Sequence, residues 1–171
     1  MASSLSPTAG SRKVKSIQLA ISPLSYNIVG VRILNKLHPE NHVDAQFSAF
    51  FQTAATWLDG STSGWKVYDR LLDKDIFELS ERVTVVADEG LGNLQTRLEV
   101  IYGDGSSEAQ TCEAPLGEVS NPLSTKHIRQ KFESLAVPVL GIQKAGSIAS
   151  LINSVEDRTV GELVKLLTTS I

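Results

Sequence analysis

Asn41-His42-Val43-Asp44-Ala45-Gln46-Phe47-Ser48-Ala49-Phe50-Phe51-Gln52-Thr53-Ala54-Ala55-Thr56-Trp57-Leu58-Asp59-Gly60 is the stretch whose reading decides the fold. Its apolar residues Phe47, Phe50, Phe51, Ala54, Ala55 and Leu58 follow the i, i+3, i+4, i+7, i+8, i+11 series of one helical face. Asn41 suits an N-cap, Asp44 puts a negative charge in the first turn, and Gly60 can take a left-handed conformation after the last. Three of the chain's five Phe lie on this stripe. The spacing therefore predicts a central core helix over 41–60, with Trp57 off the stripe and in need of a second covering surface.

Outward from that helix, Val14 to Ser22 alternates, with Ile17, Leu19 and Ile21 on one side, and reads as a strand with one buried face that Pro23 ends. Leu24 to Leu37 fits either a strand or a short helix. Ser61 to Gly64 reads as a loop, and Asp73 as the N-cap of a helix through Arg82 with Ile76, Leu79 and Val83 inward. Val83 to Ala87 is a β-branched strand, and Thr96 to Tyr102 alternates with Leu98, Val100 and Tyr102 on one face. Gly103-Asp104-Gly105-Ser106 signals a hairpin into Ser107 to Glu113. Ser124 can cap a helix carrying Ile128, Phe132, Leu135 and Ala136, which Pro138 and Gly141 should break. Ile148, Leu151, Ile152 and Val155 make a further amphipathic segment, and Thr159-Val160-Gly161-Glu162 is a capping box opening a last helix. Runs of strands beside runs of helices argue for an α+β fold: an antiparallel sheet of about four strands packed against helices, with a C-terminal helical tail. Residues 1–12, rich in Ser, Thr, Ala, Gly and Pro, read as a disordered lead-in, and 13–171 as one domain.

Composition narrows the function classes. The net charge of −3 and the absence of any long Lys/Arg cluster argue against a nucleic-acid surface. No continuous apolar run approaches the roughly 18 residues of a bilayer span, so no membrane association is expected. The single cysteine, Cys112, excludes an internal disulfide and fits a reducing, cytoplasmic setting. It reads as a half-exposed strand residue rather than a nucleophile.

Several stretches, in order, resemble a known family. Asp44-Ala45-Gln46-Phe47-Ser48, then a helix, then Leu58-Asp59-Gly60, is similar to the A-K/Q-F-S … A … L-x-G signature of the MmgE/PrpD family of 2-methylcitrate dehydratases, cis-aconitate decarboxylases and iminodisuccinate epimerases. Asp75 to Val83, Tyr102-Gly103-Asp104-Gly105, and Gly117 to Ser124 followed by Lys131-Phe132 resemble later blocks of the same family, over roughly residues 14 to 167. The resemblance implies the small α+β lid domain of a two-domain enzyme, extended by a helical tail. In that family the acid/base Lys and His residues come mostly from the helical domain and from a K-x-Y-P-x-C … H block ahead of the lid. This chain holds no such block, so only the lid surface carries over.

Candidate chemistry gathers at the entry to the central helix. His38, Glu40, His42 and Asp44 lie close together there. A neutral His beside a carboxylate can serve as general base or hydrogen-bond donor, and the alternative is a polar helix entry whose side chains cap backbone and face water. His-Pro-Glu-Asn-His is not the zinc-protease order, and Pro39 keeps these residues off one regular helix face, so no metal is expected. Gln46 and Ser48 flank Phe47, and the family resemblance puts this helix at the cleft between domains, which makes them candidates for substrate contact. Tyr26 and Trp65 can line a pocket or serve the core. Lys126, His127, Arg129 and Lys131 form a mildly basic, solvated helix face.

The resulting expectation has His42, Asp44 and Ser48 as catalytic residues, with Tyr26, His38, Gln46 and Trp65 binding a small-molecule substrate and no cofactor. The reaction would be an isomerisation, dehydration or cyclisation, pericyclic chemistry included, carried out by a stand-alone, repurposed domain in a biosynthetic pathway. Positioning alone can remove roughly 7 kcal/mol or more of such a barrier. The alternative is a non-catalytic partner subunit, or part of a larger dehydratase or decarboxylase, and either reading leaves a surface for a homodimer or a helical-domain partner.

Overall fold

The computed structural model describes residues 13–60 and 64–168; the lead-in 1–12 and residues 61–63 of the expected loop lie outside the described residues. Where the sequence reading expects one domain, the chain forms two compact units, the first ending at Asn121 and the second beginning at Pro122.

In the first unit, strand β1 (Val14–Ile21) leads into α1 (Pro23–Ser25), a π-helical turn (Tyr26–Gly30), α2 (Leu34–Leu37), α3 (His42–Gln46), α4 (Ala49–Asp59), a 3-10 helix (Gly64–Arg70) and α5 (Lys74–Ser80). Strands β2 (Val83–Ala87), β3 (Thr96–Tyr102) and β4 (Ser107–Cys112) follow. The ambiguous segment 24–37 is thus helical. The sheet has the order β2-β1-β3-β4. The α+β architecture with four strands stands as the alternations predict, with one refinement to the antiparallel expectation: β1 and β2 run parallel, while β1–β3 and β3–β4 are antiparallel. Parallel neighbours need a long crossover, and the helices between Ile21 and Val83 provide it.

Register explains the core. Val83, Ile17 and Val100 are direct partners across three strands, and all three are fully buried. Above that row lie Phe50, Phe51, Ala54 and Ala55 of α4, also buried, with Ile76 of α5. The expected central helix is therefore the core rod, but it is not continuous. Phe47 closes α3, and Ser48, with extended backbone (φ −111°, ψ 110°), starts α4 as its N-cap. Its hydroxyl accepts from Phe51 N at 2.9 Å and donates to the Lys36 carbonyl. The break turns Phe47, 51% exposed, off the stripe; at the far end of α4 Leu58 is 38% exposed, whereas Trp57 is buried at 7%. The covering surface that Trp57 requires is found beside Val14 and Leu79. Cys112 corrects its half-exposed reading: it pairs with Thr96 at the end of β4 and is buried. Asn41 caps α3 as expected, accepting from Asp44 N, and Gly60 closes α4 with φ +80°.

One close approach sets the path from β1 into the helices. At Gly30 an added Cβ would sit 2.7 Å from Tyr26 Cδ2 and 2.8 Å from Val85 Cγ1. A side chain there would have to push the Tyr26 ring or the Val85 methyl aside.

The second unit is helical: α6 (Thr125–Asn153), a short 3-10 helix (Val155–Asp157) and α7 (Val160–Thr168). Ser124 caps α6 through a box with His127, and Thr159 and Glu162 form the predicted box opening α7. Pro138 does not end the helix, contrary to the sequence reading. The break falls at Gly141 alone (φ 75°, ψ 161°), a conformation that glycine adopts freely. Residues at the two ends of α6, Ile128 and Phe132 on one side and Ala149 and Ile152 on the other, line one recess, so its two arms fold back as a hairpin. By length and composition alone α6 is long and apolar enough to cross a membrane, which a count of uninterrupted apolar residues does not reveal. The turn at Gly141 leaves arms over residues 125–140 and 142–153, about 24 and 18 Å long at 1.5 Å per residue. Both are short of the roughly 30 Å hydrocarbon core of a bilayer.

Candidate functional site

Of the seven candidate residues, the fold brings His42 and Trp65 together and separates the rest. His42 is the first residue of α3 and exposed. Its ring centroid lies 6.4 Å from that of Trp65 and 5.2 Å from that of Tyr68. The two aromatic rings are 5.3 Å apart and tilted by 57°. Tyr68 is absent from the sequence-derived set. The signal for it was present: Tyr68 follows Trp65 by three positions, and in a 3-10 helix positions i and i+3 eclipse each other.

The platform that carries Trp65 and Tyr68 is pinned at its end. Arg70 closes the 3-10 helix and holds three carboxylates: Asp73 at 2.6 Å, Asp75 at 2.6 Å, and Asp59 at the end of α4. Hydrogen bonds first to Asp73 and then to Asp75 raise the guanidinium pKa further, so the charge is permanent. Asp73 thereby gives its carboxylate to Arg70, and makes no side-chain cap on α5.

Asp44 lies in the first turn of α3. It accepts from Asn41 Nδ2 at 2.8 Å and Asn35 Nδ2 at 3.2 Å, so its carboxylate ties α2 to α3. Ser48 is buried, and the two hydrogen bonds of its hydroxyl serve the α4 cap. Gln46 is exposed at the end of α3. Tyr26 is half-buried against the core at the π-helical turn. His38 belongs to a different cluster: its Nε2 is 2.7 Å from Glu81 Oε1, and its ring meets Phe77 edge-on at 4.8 Å. The other Glu81 oxygen accepts from Arg32 at 2.6 Å, and Arg32 also bonds the Val83 carbonyl and lies over the Phe50 ring. That network clamps the 32–38 segment onto the start of β2.

Chemically, the cluster of His42, Tyr68 and Trp65 offers an exposed imidazole edge and two aromatic faces. Such a surface can stack an unsaturated or cyclic group and donate or accept one hydrogen bond. Among the described residues no group of three or more His, Cys, Asp or Glu is placed to hold a metal ion. The MmgE/PrpD C-terminal domain model matches residues 2–157. No curated protein matches the chain.

Proposed function

The chain belongs to the MmgE/PrpD family as a C-terminal domain, and from that premise we propose that it serves as the covering wall of a composite active site for a small metabolite. His42, Tyr68 and Trp65 contact the substrate, and the groups that move protons come from a helical partner. One observation carries this reading: the His42 ring of α3 meets Trp65 and Tyr68 of the pinned 3-10 helix, with His42 and Trp65 exposed and Tyr68 half-buried against the core. An imidazole in that position can orient a substrate, but an exposed face excludes water only when a second surface closes over it. Asp44 and Ser48, engaged in fixing α3 and α4, act as positioning residues. The setting is reducing and cytoplasmic, in keeping with the one buried thiol.

A second reading is favoured by the closed core of the first unit, where Ile17, Phe50, Phe51, Ile76 and Val83 are fully buried without help from another chain. On that reading the domain works alone as a cofactor-free isomerase, dehydratase or cyclase. One experiment separates the two. Purified chain is titrated with small hydroxylated and unsaturated carboxylates, the class the family resemblance implies, while the His42 and Trp65 ring resonances and product formation are followed. The composite reading expects Trp65 ring shifts that His42→Ala weakens, His42 ring shifts that Trp65→Ala weakens, and no turnover. Turnover by the chain alone supports the stand-alone reading, and silent rings remove the site.

A further inference from the structure

In the first unit a recess of about 230 Å³ lies between the start of β1 and one face of α5, with the Trp57 indole in its wall. The rings of the candidate site take no part in it. Asp75 and Glu78 of α5 and Arg82 of the turn that follows line it at i, i+3 and i+7, one side of a helix. Lys13, the residue ahead of β1, lines it as well. The recess is smaller than the roughly 300 Å³ at which drug-sized pockets begin, so its occupant is about the size of one amino acid.

Charge is divided along the recess. Asp75 and Arg82 stand about 10 Å apart at 1.5 Å per residue. Arg82 donates to the Val14 carbonyl at 3.3 Å, which brings its guanidinium to the neighbour of Lys13, so two cations share one end. Neither has a carboxylate partner among the described residues. At the other end Asp75 shares the Arg70 guanidinium with Asp59 and Asp73. Glu78 meets Lys74 at 3.6 Å, and that lysine side chain is 90% exposed, so solvent screens the pair. A plain anion or a plain cation entering the recess would face its own charge at one end. A molecule with an ammonium at one tip, a carboxylate at the other and an apolar body between them would face opposite charge at both, with its body against the indole.

We propose that this recess binds a small zwitterion of the ω-amino acid class. Its carboxylate meets Lys13 and Arg82, its ammonium meets Glu78 and Asp75, and its methylene chain lies on Trp57. The site is separate from the one that His42, Trp65 and Tyr68 form, and it stands whether or not that one does.

The full chain is titrated with ε-aminocaproate, caproate and hexylamine while the Trp57 indole N–H resonance is followed, told from that of Trp65 by the Trp65→Phe variant. The zwitterion moves the resonance saturably, and the two singly charged probes bind at least about ten-fold more weakly. Added salt narrows the difference. Glu78→Gln and Lys13→Gln, at exposed positions, leave far-UV circular dichroism unchanged. Glu78→Gln shrinks the advantage of the zwitterion over caproate and keeps that over hexylamine; Lys13→Gln does the reverse. Loosened packing would weaken all three probes alike, so equal losses in either variant overturn the proposal. So does the absence of a saturable shift with the zwitterion. Caproate binding as tightly as ε-aminocaproate assigns the recess to plain carboxylates and overturns it equally.

Discussion

Helices α4 and α6 are both apolar helices with regular stripes, and they meet opposite fates. In α4 the stripe is covered: Phe50, Phe51, Ala54 and Ala55 are buried over a row of Val83, Ile17 and Val100 drawn from three strands. In α6 only Ala145, Ile148 and Ala149 are buried, while Ile128, Leu135, Val139, Ile142 and Ile152 are exposed. The difference teaches that apolar spacing along a helix does not by itself say that the stripe is buried. For α4 the cover is encoded within the same chain, in strands that lie before and after it in sequence.

The contrast breaks most clearly by truncation. Phe51→Ala removes a fully buried ring and should cost about 3 to 5 kcal/mol of unfolding free energy in a urea titration. Val139→Ala on α6 should stay within about 0.5 kcal/mol, as an exposed substitution does. Comparable losses at the two positions would mean that α6 is as deeply packed as α4.

A smaller effect is expected at the junction the sequence reading missed. Ser48→Ala removes the N-cap of α4 and strands the Phe51 N–H and the Lys36 carbonyl, for a loss of about 1 to 2 kcal/mol. A substrate-contacting Ser48 would instead lower ligand affinity at unchanged stability, so urea titration and ligand titration of the same variant sharpen its assignment.

The smallest effect lies in α7, where local capping does the holding. The Glu162 carboxyl sits below its ordinary range because it accepts first from the Thr159 backbone N–H and then from the Thr159 hydroxyl. A carboxyl lowered on folding stabilises above its unfolded pKa, and that contribution is lost as pH falls through the folded value. Acidification through the carboxylate range should therefore loosen residues 160–163, seen as faster amide exchange after correction for intrinsic rates. Glu162→Gln should remove that pH dependence, whereas Thr159→Ala, which keeps the backbone N–H donor, should remove only the smaller part carried by the hydroxyl.

Much of the fold is legible in the sequence because alternation and 3.6-residue spacing report burial directly: the four strands and the Phe-rich rod are of this kind, and the Thr159–Glu162 capping box is legible from its residue types. The break at Ser48 is not, because the apolar spacing runs through it unchanged and a capping serine leaves no mark on periodicity. Nor is strand direction, which depends on how the crossover returns to the sheet rather than on either strand. The site was half legible. Trp65 and His42 were nominated separately, and their meeting depends on a 3-10 helix whose three-residue period an α-helical template overlooks. His38 was nominated for chemistry, but its partner Glu81 lies 43 residues on, a pairing that only the folded chain reveals.

Gly30 carries a final consequence. Tyr26 Cδ2 lies where a methyl group on residue 30 would have to be, and Val85 Cγ1 closes the other side. The tyrosine owes its resting place to a neighbour that contributes no atoms to it. Alanine at position 30 should therefore announce itself one turn earlier in the chain, as a displaced phenol ring, before any loss of the sheet behind it.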